Sequence, residues 1–178
     1  GFALPGTTTP GEHLELVAAD VARLAAALVR QSVGKAAATG TKSTPTDVVT
    51  DTDVQSEALI RAELLARCPG STIVGEELAD DIGTSAVGWV VDPIDGTVNF
   101  LYDLPVVSVS IAATIDGVTV AGAVCDIVRG ETFSAALGMG ARRDGEPIAV
   151  RSTATMSQAL IGTGFAYSAE RRREQASI

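Results

Sequence analysis

The chain has 178 residues, a formal net charge of −9, 46% hydrophobic residues, two cysteines and one histidine. The negative charge argues against a nucleic-acid-binding surface, which requires a basic stripe. Cys68 and Cys125 lie far apart without histidine companions, which excludes an ordinary zinc site, and His13 is expected to be solvated. Catalysis therefore cannot use a Ser-His or Cys-His pair and must depend on carboxylates, hydroxyls, Lys, Arg or a metal ion.

Membrane insertion is also not expected. No apolar run approaches the ~20 residues that a membrane span requires, and residues 1–10 lack the basic region and apolar core of a signal peptide. We therefore expect a soluble, cytoplasmic protein that binds neither nucleic acid nor membrane. A small phosphorylated metabolite remains a suitable partner if metal ions supply the positive charge.

Two helices are predicted first in chain order. Residues 1–11 predict a flexible arm, and helical periodicity predicts a first helix over residues 12–38. Its predicted core face consists of Leu14, Val17, Val21, Leu24, Leu28 and Val33.

Residues 42–50 predict a loop that leads into a short extended segment. A second helix is then predicted from an N-cap at Thr52, with Gln55 three residues later, to about Cys68. Its predicted core face consists of Val54, Ala58, Leu59, Ala62, Leu65 and Ala66.

From residue 71 the hydrophobic period changes to two, which predicts strands. These cover residues 71–75, 88–92, 106–115, 118–128, 131–137 and 147–150. In the third strand the apolar face is Val107, Val109, Ile111 and Ala113. Asp116-Gly117 is a hairpin signal, and turns are predicted at Arg129-Gly130 and Asp144-Gly145. Residues 160–165 predict a further strand and residues 168–176 a helix. This order predicts an α+β layered domain with an antiparallel sheet.

Acidic residues occur at three junctions between these elements: residues 47–53 (DVVTDTD), 75–77 (GEE) and 92–97 (DPIDGT). Each alone fits an ordinary turn or helix start. However, Glu76 and Asp92 both follow short apolar strands, so they converge at one sheet edge if those strands are neighbours. Convergent carboxylates repel each other unless a cation neutralises them. Oxygen ligands without His or Cys favour a hard ion, Mg²⁺ before Ca²⁺.

The segment DPIDGT has a second property. Pro93 stiffens the turn, so Asp92, the Ile94 carbonyl and Asp95 can face the same side. The Gly96-Thr97 backbone amides that follow can hold a phosphate. Cations beside an anion-binding turn are what phosphoryl transfer to water requires.

These three stretches, KSTPTDVVTDTD, GEE and DPIDGTVNF, together with VSIAATIDGVTVAGAVCDI and GMGARRDGEPIAV, resemble the inositol monophosphatase family. The resemblance covers about residues 12–178, and LIGTGFAYS is most similar to the actinobacterial inositol-1-monophosphatase branch. It implies a layered αβαβα fold, a homodimer, two to three Mg²⁺ ions, inhibition by Li⁺ and hydrolysis of inositol 1-phosphate. It also implies that residues 12–150 form the metal-binding domain and that residues 151–178 begin a second α/β domain.

The resemblance further implies metal ligands. Glu76, Asp92 and the Ile94 carbonyl would hold the first Mg²⁺, and Asp92 would bridge to a second ion that Asp95 also binds. Glu76 would face a third, weakly held ion through water, which places it among the catalytic residues.

The remaining roles concern water, substrate and support. Thr97, hydrogen-bonded to Asp53, would orient and help deprotonate the attacking water. Gly96 and Thr97 would contact phosphate, and Asp95 would meet a substrate hydroxyl. Lys42 and Asp47 would lie in a mobile loop over the metals, whereas Glu77 and Thr50 would support the site without binding metal.

One family motif is missing. The family's second domain supplies a last ligand from a tryptophan-aspartate pair, but Trp89 is the only tryptophan in this sequence, which ends at Ile178. We therefore expect a part of a longer protein, inactive alone. The run of arginines at residues 171–173 fits a solvated helix start better than a distal phosphate site. Other phosphate esters stay open as substrates: fructose 1,6-bisphosphate, other sugar phosphates, histidinol phosphate and nucleotide 3′-phosphates. A non-catalytic regulatory relic of the fold is the alternative of a different class.

Overall fold

The computed structural model describes residues 9–34, 38–41, 48–162, 164–166 and 168–177. The helices are α1 (Pro10–Arg30), α2 (Asp51–Arg67), α3 (Thr97–Leu101) and α4 (Ala169–Ala176), with a 3₁₀ turn at Met156–Gln158. The strands are β1 (Ala38–Thr41), β2 (Val48–Thr50), β3 (Thr72–Val74), β4 (Val87–Asp95), β5 (Ser108–Ile115), β6 (Val118–Asp126), β7 (Thr132–Ala136), β8 (Ala141–Arg143) and β9 (Glu146–Ile148).

Strands β3 to β9 form one seven-stranded sheet in chain order, and β1 pairs with β2 separately. The β3–β4 pair is parallel, whereas the other neighbours in the large sheet are antiparallel. Helix α1 packs against β5, β6 and β7, while α2 packs against α1 and β4. The predicted α+β class is confirmed, but the predicted antiparallel sheet is in fact mixed.

Helix α1 begins earlier and ends earlier than predicted. Thr9 and Glu12 form a capping box around Pro10, and the helix ends at Arg30 rather than at residue 38. The predicted face is wrong at Leu24 and Val33, which are 44% and 38% exposed. Leu14, Val17 and Val21 are buried as predicted. Much of the rest of the buried stripe consists of alanines, because small side chains let the helix approach the sheet closely: Ala18, Ala19, Ala22, Ala25 and Ala26.

Helix α2 differs more strongly from its prediction. Its N-cap is Thr50, with Asp53 at the third helical position, and not Thr52 with Gln55. Most of its predicted core face is wrong: Val54 is 39% exposed, and Ala58, Ala62 and Ala66 are exposed, whereas Leu59 and Leu65 are half-buried against the core. The buried face is Thr52, Asp53, Ser56, Glu57, Ile60, Arg61 and Leu64. Apolar periodicity selected the wrong face because most of the buried residues are polar, and they form hydrogen bonds with Glu77, Pro93 and Thr97.

The antiparallel hairpins follow the prediction closely, except that β8 was not predicted. Asp116 and Gly117 have φ values of 49° and 78°, as a two-residue type I′ turn requires, and Asp144-Gly145 forms the β8–β9 turn with φ values of 52° and 87°. The predicted apolar face of β5 is buried. Strand ends differ from the predictions by a few residues, most at β4, which continues through Pro93 to Asp95.

The final segment departs from its prediction in one respect. Helix α4 is present, but no strand forms among the described residues of the stretch 160–165. Leu160 and Phe165 are exposed, so in the described part of the chain this segment has no sheet to join. None of the described helices combines the length and apolar character needed to cross a membrane.

Candidate active site

The parallel pairing of β3 and β4 determines the position of two acids. Thr72 pairs with Gly88 and Val74 with Val90, so β3 ends just before Glu76 beside the part of β4 that leads into Asp92. Asp92 is hydrogen-bonded to the Glu76 side chain. The predicted convergence of these two carboxyl groups is confirmed.

A β-bulge follows at the end of β4. Asp92 pairs with Ser110 and Asp95 with Ser108, and the register shifts between these two pairs. Bulges of this kind are over-represented next to active sites. Asp92 Oδ1 accepts the Ile94 backbone N–H at 3.2 Å, and Ser108 Oγ donates to Asp95 Oδ2 at 3.4 Å. The bulge therefore leaves Asp92 partly buried and Asp95 exposed.

The electrostatics of this edge centre on Asp92. Burial, followed by the negative charges of Glu76 and Asp95 and the hydrogen bond to Glu76, raises the pKa of Asp92 to about 7, although the Ile94 N–H opposes this. Asp92 therefore carries a proton below about pH 7 and loses it above. A cation could take the place of that proton.

The hydroxyl of Thr97 lies between two acceptors. Thr97 Oγ1 is 3.2 Å from Asp53 Oδ1 and 3.0 Å from the Ile94 carbonyl oxygen. The other oxygen of Asp53 accepts the Thr50 backbone N–H at 2.8 Å and the Thr50 hydroxyl. Asp53 is 1% exposed, so its carboxylate is fixed from both sides, and one oxygen is held toward Thr97.

Gly96 joins the bulge to α3 in a conformation that other residues rarely adopt. Its φ is 93°, and a Cβ atom there would lie 2.8 Å from the Val106 carbonyl oxygen. Glycine is therefore required both by the backbone angle and by the available space.

The other predicted site residues are placed as follows. Thr50 caps α2, and Glu77 donates its backbone N–H to Glu57 Oε2 at 2.7 Å. Lys42 and Asp47 lie outside the described residues, so their predicted place in a loop over the site stays a prediction.

Three residues of α2 that touch the site were missed by the sequence reasoning. Ser56, Glu57 and Arg61 lie on the buried face of the helix, and Ser56 Oγ donates to the Pro93 carbonyl at 3.1 Å. The available signal was their spacing, because they follow Asp53 at helical intervals and Glu57 and Arg61 form an (i, i+4) pair.

The oxygen atoms available at this site are ligands of the kind that a hard cation prefers. Within the described part of the chain, no group of three or more His, Cys, Asp or Glu side chains is already gathered for a metal ion. Glu76 and Asp92 meet, whereas the exposed Asp95 acts on Asp92 through its charge. The available donors are oxygens, including the Ile94 carbonyl, and a divalent cation would relieve the repulsion among these acids.

Solved structures share this arrangement of helices and sheet. Mycobacterium tuberculosis SuhB is 39% identical with a TM-score of 0.74, over 96% of this chain and 64% of that chain. The inositol monophosphatase of Anabaena (Nostoc) sp. PCC 7120 is 31% identical with a TM-score of 0.76, over 89% of this chain and 57% of that chain. The chain is thus an α+β protein with the fold of the SuhB and inositol monophosphatase structures.

The sequence matches the inositol monophosphatase family over residues 12–178. The inositol-1-monophosphatase of Mycobacterium leprae (strain TN) is 46% identical over 186 aligned residues, which cover 94% of this chain and 64% of that protein. The chain belongs to the inositol monophosphatase family, and the mycobacterial relatives support its actinobacterial branch. It spans less than two thirds of the length of these relatives.

Proposed function

We propose that the protein containing this chain hydrolyses inositol 1-phosphate to inositol and phosphate in a Mg²⁺-dependent reaction. The proposal rests on two neighbouring carboxyl groups, those of Glu76 and Asp92, which lie near the hydrogen bond between Thr97 and Asp53. Family membership and the name of the M. leprae relative support the same activity and substrate.

The proposed metal ligands are Glu76, Asp92, Asp95 and the Ile94 carbonyl, for two to three ions. When bound, Mg²⁺ neutralises charge on the phosphate and makes water more acidic. The raised pKa of Asp92, caused by burial and by Glu76 and Asp95, supports this assignment, because carboxylates that destabilise each other gain most from a cation.

The proton of the attacking water would pass toward Asp53 through Thr97. When the Thr97 hydroxyl donates to Asp53 Oδ1, its oxygen remains able to accept a hydrogen bond from water. Asp53 is buried and its second oxygen is held by Thr50, so the carboxylate is preorganised for this role. Glu76 would also face a third, weakly held ion through water.

The phosphate would bind at the turn after the bulge. The backbone N–H groups of Gly96 and Thr97 are the proposed donors, since glycine leaves the backbone accessible to an anion. Asp95 is exposed beside this turn and is proposed to accept a hydrogen bond from a substrate hydroxyl.

The test uses the complete gene product and a panel of phosphate esters with and without Mg²⁺. The panel contains inositol 1-phosphate, fructose 1,6-bisphosphate, histidinol phosphate and a nucleotide 3′-phosphate. We expect the highest kcat/KM with inositol 1-phosphate and no turnover after chelation of the metal. A hundredfold preference for another ester would show that this ester, and not inositol 1-phosphate, is the substrate. Turnover without metal, or no turnover of any ester, would refute the proposed reaction.

Assembly, location and inhibition belong to the same proposal. We expect a cytoplasmic homodimer, inhibition by Li⁺, and no turnover by the 178-residue chain alone. Light scattering after size-exclusion chromatography tests the dimer, and a Li⁺ titration at fixed Mg²⁺ tests the inhibition. Turnover by the isolated chain would contradict the third expectation.

A further inference from the structure

One carboxylate outside the proposed ligand set binds the backbone of the loop that carries Glu76. Glu57 is 0% exposed. Its Oε2 accepts the N–H groups of Glu76 at 3.1 Å and Glu77 at 2.7 Å, and its Oε1 accepts the N–H of Leu78 at 3.2 Å. Three consecutive amides thus bond to one buried side chain, which fixes the direction of the chain at residues 76–78.

Arg61 neutralises this carboxylate and adds contacts to the same loop. Its Nε and Nη2 donate to Glu57 Oε1 at 2.9 and 2.7 Å. Its Nη2 also donates to the Leu78 carbonyl at 3.2 Å, and its Nη1 bonds to Asp81 at 2.7 Å. The buried carboxylate of Glu57 is therefore paired with the Arg61 guanidinium, and both of its oxygens accept hydrogen bonds from the loop.

The loop lies so close to this pair that its first residue must be glycine. A Cβ atom at Gly75 would lie 1.9 Å from Glu57 Oε1 and 2.6 Å from Arg61 Nη2. Both groups are buried, so neither could move away without losing its hydrogen bonds. The close approach of backbone and carboxylate is thus a fixed feature of this site.

The same face of α2 also contacts residues 93–97 of the site. Asp53, one turn before Glu57, bonds to Thr97, and Ser56 bonds to the Pro93 carbonyl within the bulge. Two separate parts of the sequence, residues 75–78 and residues 93–97, are therefore positioned against one helix.

We propose that Glu57 is a positioning residue for cation binding: it holds residues 75–78 so that the Glu76 carboxyl group meets Asp92 at the sheet edge. A buried ion pair is weak evidence for a purely stabilising role, because well-packed apolar residues often serve as well. The contacts of Glu57 are directed at the backbone on either side of a proposed ligand. Such supporting groups commonly change metal affinity 10- to 100-fold when they are mutated. This inference rests on the proposed function, which assigns a cation to Glu76 and Asp92.

The main test is Glu57→Gln in the complete gene product. Glutamine keeps the volume but replaces one accepting oxygen with an NH₂ group, which faces backbone N–H donors. The matched control is Glu63→Gln, because Glu63 and Arg67 form the same (i, i+4) pair on the same helix with side chains 40% and 33% exposed. Amide hydrogen exchange at residues 76–78 reports loop order, and calorimetry with MgCl₂ reports cation affinity.

For Glu57→Gln we expect faster exchange at residues 76–78 and at least about tenfold weaker Mg²⁺ binding, with turnover largely restored at saturating Mg²⁺. Glu63→Gln should match the wild type in amide exchange, Mg²⁺ affinity and turnover. Should Glu57→Gln fail to fold, Arg61→Lys keeps the charge but loses the planar fork, and the same changes are expected in smaller degree.

Unchanged Mg²⁺ affinity in a folded variant with a loosened loop would overturn the proposal, as would unchanged exchange at residues 76–78. These readouts do not depend on turnover, so a wild type that binds Mg²⁺ but hydrolyses no ester would refute only the proposed reaction. A wild type that binds no Mg²⁺ would overturn both.

Discussion

Asp53 and Thr97 are 44 residues apart in the sequence, yet Thr97 Oγ1 lies 3.2 Å from Asp53 Oδ1. The same aspartate occupies the third position of α2, where its other oxygen accepts the Thr50 N–H and completes a capping box. One carboxylate thus starts a helix and holds the hydroxyl that we propose to act on water. The two functions can be separated by mutation because they use different oxygens.

Asp53→Asn tests this separation. The asparagine can still accept the Thr50 N–H, so we expect a change in Tm of only a few degrees, whereas kcat should fall about 10²- to 10⁴-fold because the base is lost. Asp51→Asn is the control, since Asp51 is an exposed acid in the same helical turn. Equal effects of the two substitutions on kcat would contradict the role of Asp53.

Thr97→Val and Thr97→Ser form a second pair. Valine preserves the shape of threonine but removes the hydroxyl that reaches Asp53 and the Ile94 carbonyl. We expect kcat to fall about 10²-fold or more for valine and less than about tenfold for serine, with Mg²⁺ affinity nearly unchanged in both. Steady-state kinetics at saturating Mg²⁺ provide the measurement, and a valine variant as active as the serine variant would exclude the hydroxyl from the reaction.

Mg²⁺ binding should release protons near neutral pH. Because burial and the neighbouring acids raise the pKa of Asp92 to about 7, a proton competes with the cation below that pH, and affinity should fall by up to about tenfold per pH unit. Calorimetry in two buffers with different ionisation enthalpies counts the protons released. Affinity that does not change between pH 5.5 and 8 would show that Asp92 is not a ligand.

The same pKa predicts how metal-free stability changes with pH. The folded protein keeps a proton on Asp92 up to about pH 7, whereas the unfolded chain loses it near the ordinary value of 3.8. This contribution to the free energy of unfolding is therefore fully present below pH 3.8 and is lost as the pH rises through 7. Urea denaturation at pH 5 and 8 should show a smaller pH-dependent loss in Asp92→Asn than in the wild type, and Mg²⁺ should restore wild-type stability at pH 8.

Gly96→Ala should destabilise the fold through both strain and collision. Alanine at a φ of 93° is strained, and its Cβ would lie 2.8 Å from the Val106 oxygen, so we expect a loss of about 2–4 kcal/mol in the free energy of unfolding. Gly138→Ala separates the two causes, because Gly138 has a φ of 78° with nothing within 4 Å of an added Cβ. It should cost only about 1–2 kcal/mol; an equal cost for both would show that the space beside Val106 is not limiting.

Local signals in the sequence predicted the hairpins and the faces of β5 correctly. The Asp-Gly turn at residues 116–117 and the alternation along residues 106–115 depend on neighbours that are close in the sequence. The convergence of Glu76 and Asp92 could be predicted only conditionally, since it requires β3 and β4 to be neighbours.

The features of α2 could not be predicted because they depend on distant partners. Thr50 with Asp53 and Thr52 with Gln55 both satisfy the spacing of a capping box, and the structure uses the pair whose aspartate also meets Thr97. Likewise, a buried Glu57 contradicts apolar patterning until the amides of residues 76–78 are known. The sequence shows that Glu57 is polar but not which groups it binds.

The bulge at the end of β4 has a consequence for the spacing of the two aspartates. In a regular strand, residues three apart lie on opposite faces of a sheet, so Asp92 and Asp95 would be separated by the backbone. Here they pair with Ser110 and Ser108, which are two apart and share one face. The extra residue converts an odd spacing into an even one. A deletion of either Pro93 or Ile94 would remove the bulge, yet it would leave the two acids two apart and so on one face of a regular strand.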